Sequence, residues 1–308
     1  MPPPSSILVL GAGELGTQIL NSLTSHPSRA TIPITLLFRP STLSSTDPTK
    51  QAELQSYREA QISLIPGDIA SDSISQLAST FAPFDTIISC TGMSLPPGTQ
   101  LKLTRAILNA GVRRYFPWQF GIDYDAIGRA SAQDLFDEQL DVRDLLRSQK
   151  ATEWVIVSTG MFMSFLFEPA FGVVDLQARR VVGLGSWENA LTVTAVEDIG
   201  RVVAELALVR VEEKGVVFVA GDTVSMRRLA DVAEGLVGRE VERSVKTVDQ
   251  LERELEESPD DVMRKYRAVF AAGVGVSWDK KGSFNARHGM ETVLVEDWAK
   301  DNVRMPQA

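Results

Sequence analysis

The stretch Ile7-Leu-Val-Leu-Gly-Ala-Gly-Glu-Leu-Gly-Thr-Gln-Ile-Leu20 leaves this chain few folds to choose from. Ile7 to Leu10 is an apolar run with the length and residue types of a buried strand. It runs straight into Gly11-Ala-Gly13-Glu-Leu-Gly16, after which Leu15, Ile19, Leu20 and Leu23 recur at helical spacing. Strand, glycine turn and helix in that order are the context in which G-x-G-x-x-G marks a dinucleotide site. Gly11 permits the tight turn, Gly13 lets the backbone approach a diphosphate, and Gly16 lets the helix pack close to the strand. The helix start at Glu14 and Leu15 offers backbone N–H groups and a partial positive charge to that anion.

The same alternation continues. Apolar runs at Ile34–Arg39, Ile62–Ile65, Asp85–Cys90, Val112–Pro117 and Trp154–Ser158 read as strands. Between them, Gln51–Ala60, Ile74–Phe81, Gly98–Ala110 and Ser131–Gln149 read as helices, with Pro40 to Lys50 as a loop. Strands separated by helices require a parallel sheet with right-handed crossovers. The expected class is therefore α/β: a Rossmann doubly wound parallel sheet over residues 1–158, then a smaller α+β substrate-binding domain over 159–308. Segments at about 190–237, with strands at Ala190–Thr194 and Gly215–Ala220 and a helix at Val196–Leu208, are expected to return to the first domain. Further helices are expected at 225–237, 247–256, 259–272 and 291–302.

Composition excludes several function classes. The net charge of −9 argues against nucleic acid or an anionic membrane as partner. No window approaches the ~18 apolar residues of a membrane span, and the start has no signal-peptide pattern, so a cytoplasmic location is expected. Cys90 is the only cysteine, which rules out an intrachain disulfide and suits a core position. The two histidines, His26 and His288, lie too far apart in sequence to suggest a metal site. No Gly-x-Ser-x-Gly elbow is present, so a serine hydrolase is unsupported.

The end of the second strand selects the dinucleotide. An acidic residue there takes the ribose hydroxyls of NAD, whereas an arginine favours the additional phosphate of NADP. This chain has Phe38-Arg39-Pro40-Ser41-Thr42, in which Arg39 can clamp a phosphate and Ser41 can donate a hydrogen bond to it. Asp68, after the third strand, either meets the adenine edge or closes a turn. Thr91 and Gly92 follow the fourth strand, at the carboxyl edge where open α/β sheets bind ligands. The expected cofactor is NADP(H).

At this point the sequence resembles a known family. The glycine turn, Arg39, Arg113-Arg-Tyr-Phe-Pro-Trp-Gln-Phe-Gly-Ile-Asp123, Leu135-Phe-Asp-Glu-Gln-Leu-Asp-Val-Arg143 and Ser158-Thr-Gly-Met-Phe162 are similar to the atypical short-chain dehydrogenases of the isoflavone reductase and phenylcoumaran benzylic ether reductase group. That group overlaps with the NmrA-like proteins, and the likeness points to its fungal branch. It implies NADPH-dependent reduction of small, often phenolic, secondary metabolites. Two departures stand out. Leu10 replaces the first glycine of the plant G-x-x-G-x-x-G turn, and Gln139 occupies the position of a lysine usually assigned to proton handling near the nicotinamide. An amide does not titrate near neutral pH, so Gln139 can orient a substrate oxygen without exchanging its proton. The Y-x-x-x-K pair is also missing: Tyr57, Tyr115, Tyr124 and Tyr266 are followed four residues on by Gln61, Gln119, Gly128 and Phe270.

The expected nicotinamide neighbour is Phe120, and the expected substrate wall comprises Trp118, Gln119, Met161, Phe162 and Phe165. Asp123, Tyr124 and Asp125 are alternative acids or simple loop caps. The expected activity is an NADPH-dependent reductase of a small aromatic or conjugated metabolite. The rivals are an NAD(P)-binding redox sensor without turnover, and a non-reductive dehydration, isomerisation or cyclisation on the same fold. The oligomeric state, monomer or homodimer, is left open.

Overall fold

A computed structural model describes residues 2–29, 31–92 and 95–303. Its strands, in chain order, are β1 (Ile7–Leu10), β2 (Ile34–Phe38), β3 (Ile62–Pro66), β4 (Thr86–Ser89), β5 (Arg114–Phe116) and β6 (Glu153–Ser158). There follow β7 (Met161–Phe162), β8 (Val174–Asp175), β9 (Arg180–Leu184), β10 (Ala190–Thr194), β11 (Gly215–Phe218), β12 (Asp222–Ser225) and β13 (Glu242–Lys246). The chain divides into two compact units, 1–119 with 138–157 and 199–217, and 120–137 with 158–198 and 218–308. The units are thus interleaved, with 120–137 in the second and, of the 190–237 stretch, 199–217 in the first.

The first unit is built on a seven-stranded sheet of order β11-β6-β5-β4-β1-β2-β3. The pairs β1–β2, β2–β3, β1–β4, β4–β5 and β5–β6 all run parallel. The order reverses at β1, between β2 and β4, which is where a doubly wound sheet opens its ligand crevice. Alternate side chains of each strand face opposite ways. Leu8 and Leu10 of β1 join Leu37, Ile87, Tyr115 and Ile156 in one core cluster, closed by Leu77, Phe81, Leu103, Ile107, Val142 and Leu146 from three helices. Each such fully buried side chain contributes about 1.5–3 kcal/mol. The helix Val196–Leu208 meets the helix Glu14–Ser25 at Gly200, where a methyl group would lie 2.6 Å from the Gln18 carbonyl.

The Arg113-Arg114 pair is structural. Arg113 grips Asp85 with two hydrogen bonds of 2.7 Å, tying the start of β5 to β4. Burial works against ionisation of Asp85, but the Arg113 fork outweighs it and holds the carboxyl below its usual range. Arg114 is 1% exposed. Its guanidinium donates to the carbonyls of Val211 and Glu213 and sits 5.3 Å from the Phe116 ring centroid. Burial pulls its pKa down to about 10.

The second unit carries two three-stranded sheets, β12-β10-β7 and β13-β9-β8. Arg228 braces it by pairing with both Asp222 and Glu296, which joins β12 and the helices Met226–Val237 and Val295–Asn302.

Several elements differ from the sequence expectation. The stretch from Pro40 is not wholly loop: Pro40–Leu43 is a short helix, and the next helix runs Pro48–Glu59 because Asp47 caps it by accepting from the Lys50 N–H. The helix expected from Ser131 begins at Leu135, and the last one begins at Val295. β7, β8, β12 and β13 are additional strands.

Candidate functional site

The candidate cofactor and substrate residues of the first unit stand at the carboxyl ends of its parallel strands: Gly11 after β1, Arg39 after β2, Asp68 after β3, Thr91 and Gly92 after β4, Trp118 and Gln119 after β5. Register makes these ends coincide, because Leu10 pairs with both Leu37 and Ser89, and Phe38 with Pro66.

The glycine turn has a separate steric reason at each position. Gly11 adopts φ +94°, and a methyl there would sit 2.8 Å from the Cys90 carbonyl oxygen. At Gly16 a methyl would lie 2.1 Å from the Gly11 carbonyl oxygen. Gly13 is different: it is exposed, and an added methyl would meet nothing within 4 Å. Gly13 is also the N-cap of the helix Glu14–Ser25, whose start receives no side-chain cap. Exposed Glu14 and buried Leu15 open that helix, and its first N–H groups have no side-chain acceptor. An uncapped helix start behind a glycine with free space suits a diphosphate. Cys90 is buried, which pushes its thiol up and leaves it as packing.

At β2, Arg39 and Ser41 are both exposed, Arg39 as the N-cap of the short Pro40–Leu43 helix. Burial disfavours the charged form of Asp68, but hydrogen bonds from Ala70 and Ser71, with the charge of Arg39, hold it below the usual carboxylate range. Behind β4, the Gln100 amide donates to Thr91 Oγ1 at 3.1 Å and to the Gly92 carbonyl at 3.3 Å, fixing that loop from the helix Thr99–Ala110. Sequence reading had no signal for Gln100, because a glutamine inside a helix carries no motif.

Gln139 lies on the helix Leu135–Arg147, 1% exposed, and its side-chain oxygen has no hydrogen-bond partner among the described residues. Gln119 is equally buried and fully engaged: its Nε2 donates to the Gln139 carbonyl at 2.8 Å and its Oε1 accepts from Arg143 Nε at 2.8 Å. Its amide therefore positions the backbone of residue 139. Glu138, next along, accepts from the N–H groups of Gly98 and Leu101 at 2.8 and 3.1 Å, capping a neighbouring helix in the manner of an N-cap residue. Glu138→Ala is expected to cost about 1 kcal/mol of stability, read as a lowered melting temperature, with Glu138→Gln recovering part of it.

Of the second-unit residues, Phe120 and Met161 are buried, while Phe162 and Phe165 are half-buried. Phe165 contacts the Phe171 ring at 4.8 Å and the Tyr266 ring at 5.5 Å. Asp123 caps the helix Tyr124–Ile127 by accepting from the N–H groups of Asp125 and Ala126. His26 pairs with Glu205 in the first unit, and His288 packs against Phe284 with the two rings tilted in the second. Among the described residues no group of three or more His, Cys, Asp or Glu could hold a metal, and no helix is long and apolar enough to cross a membrane.

Residues 3–274 match the model of the NmrA-like family. The chain belongs to that family. An NmrA-like family domain-containing oxidoreductase of Gibberella moniliformis is 47% identical over 301 residues, covering 96% of this chain and 97% of that protein. The isoflavone reductase homolog P3 of Arabidopsis thaliana is 25% identical over 282 residues, 87% of each chain. A solved structure described as AtPrR2 with NADP+ and (+)pinoresinol matches the fold with a TM-score of 0.79 at 18% identity, over 98% of this chain and all of that one. The open glycine cradle and the strand-end arginine are thus features of an NmrA-like chain with full-length relatives named as an oxidoreductase and an isoflavone reductase homologue.

Proposed function

We propose that this NmrA-like protein is an NADP(H)-dependent reductase of a small aromatic or conjugated metabolite. The observation that carries the reading is the uncapped helix start behind Gly13, where an added methyl would meet nothing and a diphosphate would fit. Backbone groups of Gly11, Gly13, Glu14, Leu15 and Gly16 hold the diphosphate. Arg39 and Ser41 take the additional phosphate, Asp68 meets the adenine side, and Thr91, Gly92 and Phe120 border the rest of the cofactor. Bound there, NADPH supplies a hydride; the protein supplies placement and polarisation.

Trp118, Met161, Phe162 and Phe165 line the substrate side, and Gln119 acts through the backbone it holds. The Gln139 oxygen is buried and unpartnered, so its orienting a substrate hydroxyl requires the side chain to turn outward from the position it holds here. It moves no proton, so the substrate supplies its own acidic hydrogen or draws one from water.

Purified protein given NADPH and a panel of phenols and enones is expected to oxidise the cofactor with at least one compound. Gln139→Lys introduces a buried amine, whose pKa desolvation lowers. Its rate profile is therefore expected to gain an inflection below the ordinary lysine range that the unaltered protein lacks. Tight NADP(H) binding with no consumption across a broad metabolite extract would instead support the sensor reading, which the missing lysine favours. Product formed without cofactor consumption would support the non-reductive one.

A further inference from the structure

The second unit holds a tyrosine whose ring is clasped and whose hydroxyl is unspent. Tyr266 lies on the helix Val262–Ala272. Phe165 meets its ring edge-on at 5.5 Å, Phe136 does so at 6.2 Å, and Phe270 stacks on it at 6.2 Å. Three aromatic neighbours leave the ring little freedom. The hydroxyl makes no hydrogen bond among the described residues, yet it is not one of the polar atoms sealed inside the protein. The tip of this half-buried tyrosine thus reaches accessible space with no side-chain or backbone partner.

The surroundings specify what could meet it. Phe136 also packs against Tyr124, at 4.9 Å. The Tyr124 hydroxyl is seated over Gly121, where a methyl group would come within 2.3 Å of it. Burial, and then the proximity of Tyr124, push the Tyr266 phenol up, so it stays neutral through the physiological range. Of the cations beside it on the helix, Lys265 pairs with Asp134 at 2.8 Å and Arg264 with Glu257 and Asp261, while Arg267 donates to the carbonyls of Ala170 and Phe171. A neutral hydroxyl that can both donate and accept, ringed by aromatic faces, suits a neutral oxygen on a flat ring.

We propose that Tyr266 is the hydrogen-bonding anchor for a phenol or ring-carbonyl oxygen of a flat aromatic ligand, with Phe165 as the adjoining wall. The class of ligand agrees with, and as a substrate rests on, the reductase reading above. Phe270 stands four residues after Tyr266, where a Y-x-x-x-K pair would carry its lysine, and here it stacks on the ring. Tyr266 is thus an anchor without the usual cationic companion.

The experiment is a ¹⁹F NMR titration of the full-length protein with 4-fluorophenol and, separately, with fluorobenzene. The unaltered protein is expected to bind the phenol about fivefold more tightly than fluorobenzene, the ratio one neutral hydrogen bond supports. Tyr266→Phe keeps the ring packing and is expected to erase that ratio while leaving fluorobenzene affinity and melting temperature unchanged. Unchanged phenol affinity in Tyr266→Phe, or equal binding of both probes to the unaltered protein, would overturn the proposal. NADP+ is titrated on the same samples: a protein that ignores NADP+ defeats the reductase reading, whereas the phenol ratio reports on Tyr266 alone.

Discussion

Gly13→Ala is expected to leave the protein folded and to weaken NADP+ at least tenfold, whereas Gly16→Ala is expected to damage the fold itself. The two glycines stand three residues apart in one turn, and the contrast follows from what surrounds each. At Gly13 the backbone φ is −76°, which any residue adopts, and the methyl would enter empty space. The cost to folding is that of an alanine at a helix N-cap, about 1 kcal/mol. The same methyl would occupy the volume into which a diphosphate must settle to reach the helix N–H groups. At Gly16 the methyl would lie 2.1 Å from the Gly11 carbonyl oxygen, a backbone atom that cannot swing aside. Overpacking of this kind costs about 1–3 kcal/mol, and more where the backbone must shift. Thermal unfolding and calorimetric titration with NADP+ on both variants separate the effects. A Gly13→Ala protein that bound NADP+ as tightly as the parent would show that the diphosphate lies elsewhere.

Arg39→Ala is expected to lower NADP+ affinity by about 10- to 100-fold while NAD+ affinity stays within twofold. Charge-assisted hydrogen bonds to a phosphate contribute about 1.5–3 kcal/mol, and NAD+ has no phosphate at that position. Arg39 is exposed at the end of β2, and the residues that follow, Pro40-Ser41-Thr42, offer no carboxylate to take ribose hydroxyls instead. Because the pair is open to solvent, the preference for NADP+ should also shrink as salt is raised. Equal losses for the two dinucleotides would defeat the assignment.

Much of the first unit was legible because its signals are local. Ile7–Leu10, the glycine turn and the helix after it are contiguous, and each glycine answers to a neighbour a few residues away or to the adjacent strand. The strand ends that gather Arg39, Asp68, Thr91 and Trp118 could likewise be placed from the alternation alone. The second unit resisted for the opposite reason. β13 is Glu242-Arg-Ser-Val-Lys246, a largely exposed strand without the apolar alternation that betrays a half-buried one. The Pro40–Leu43 helix is one turn long and Ser/Thr-rich, and so read as loop. Gln119 could be located but not interpreted, since the Gln139 and Arg143 atoms that engage its amide stand 20 and 24 residues away. Tyr266 was visible only as a failed Y-x-x-x-K, because two of its three aromatic neighbours, Phe136 and Phe165, come from distant segments.

Residue 139 sits in a socket made by its neighbours. Glu138 is fastened to the start of the adjoining helix, and the main-chain oxygen of Gln139 is held by the amide of Gln119, itself held by Arg143. None of these ties involves the Gln139 side chain. The scaffold therefore holds the main chain of residue 139 without drawing on its side chain, so an exchange such as Gln139→Lys leaves every one of these ties standing.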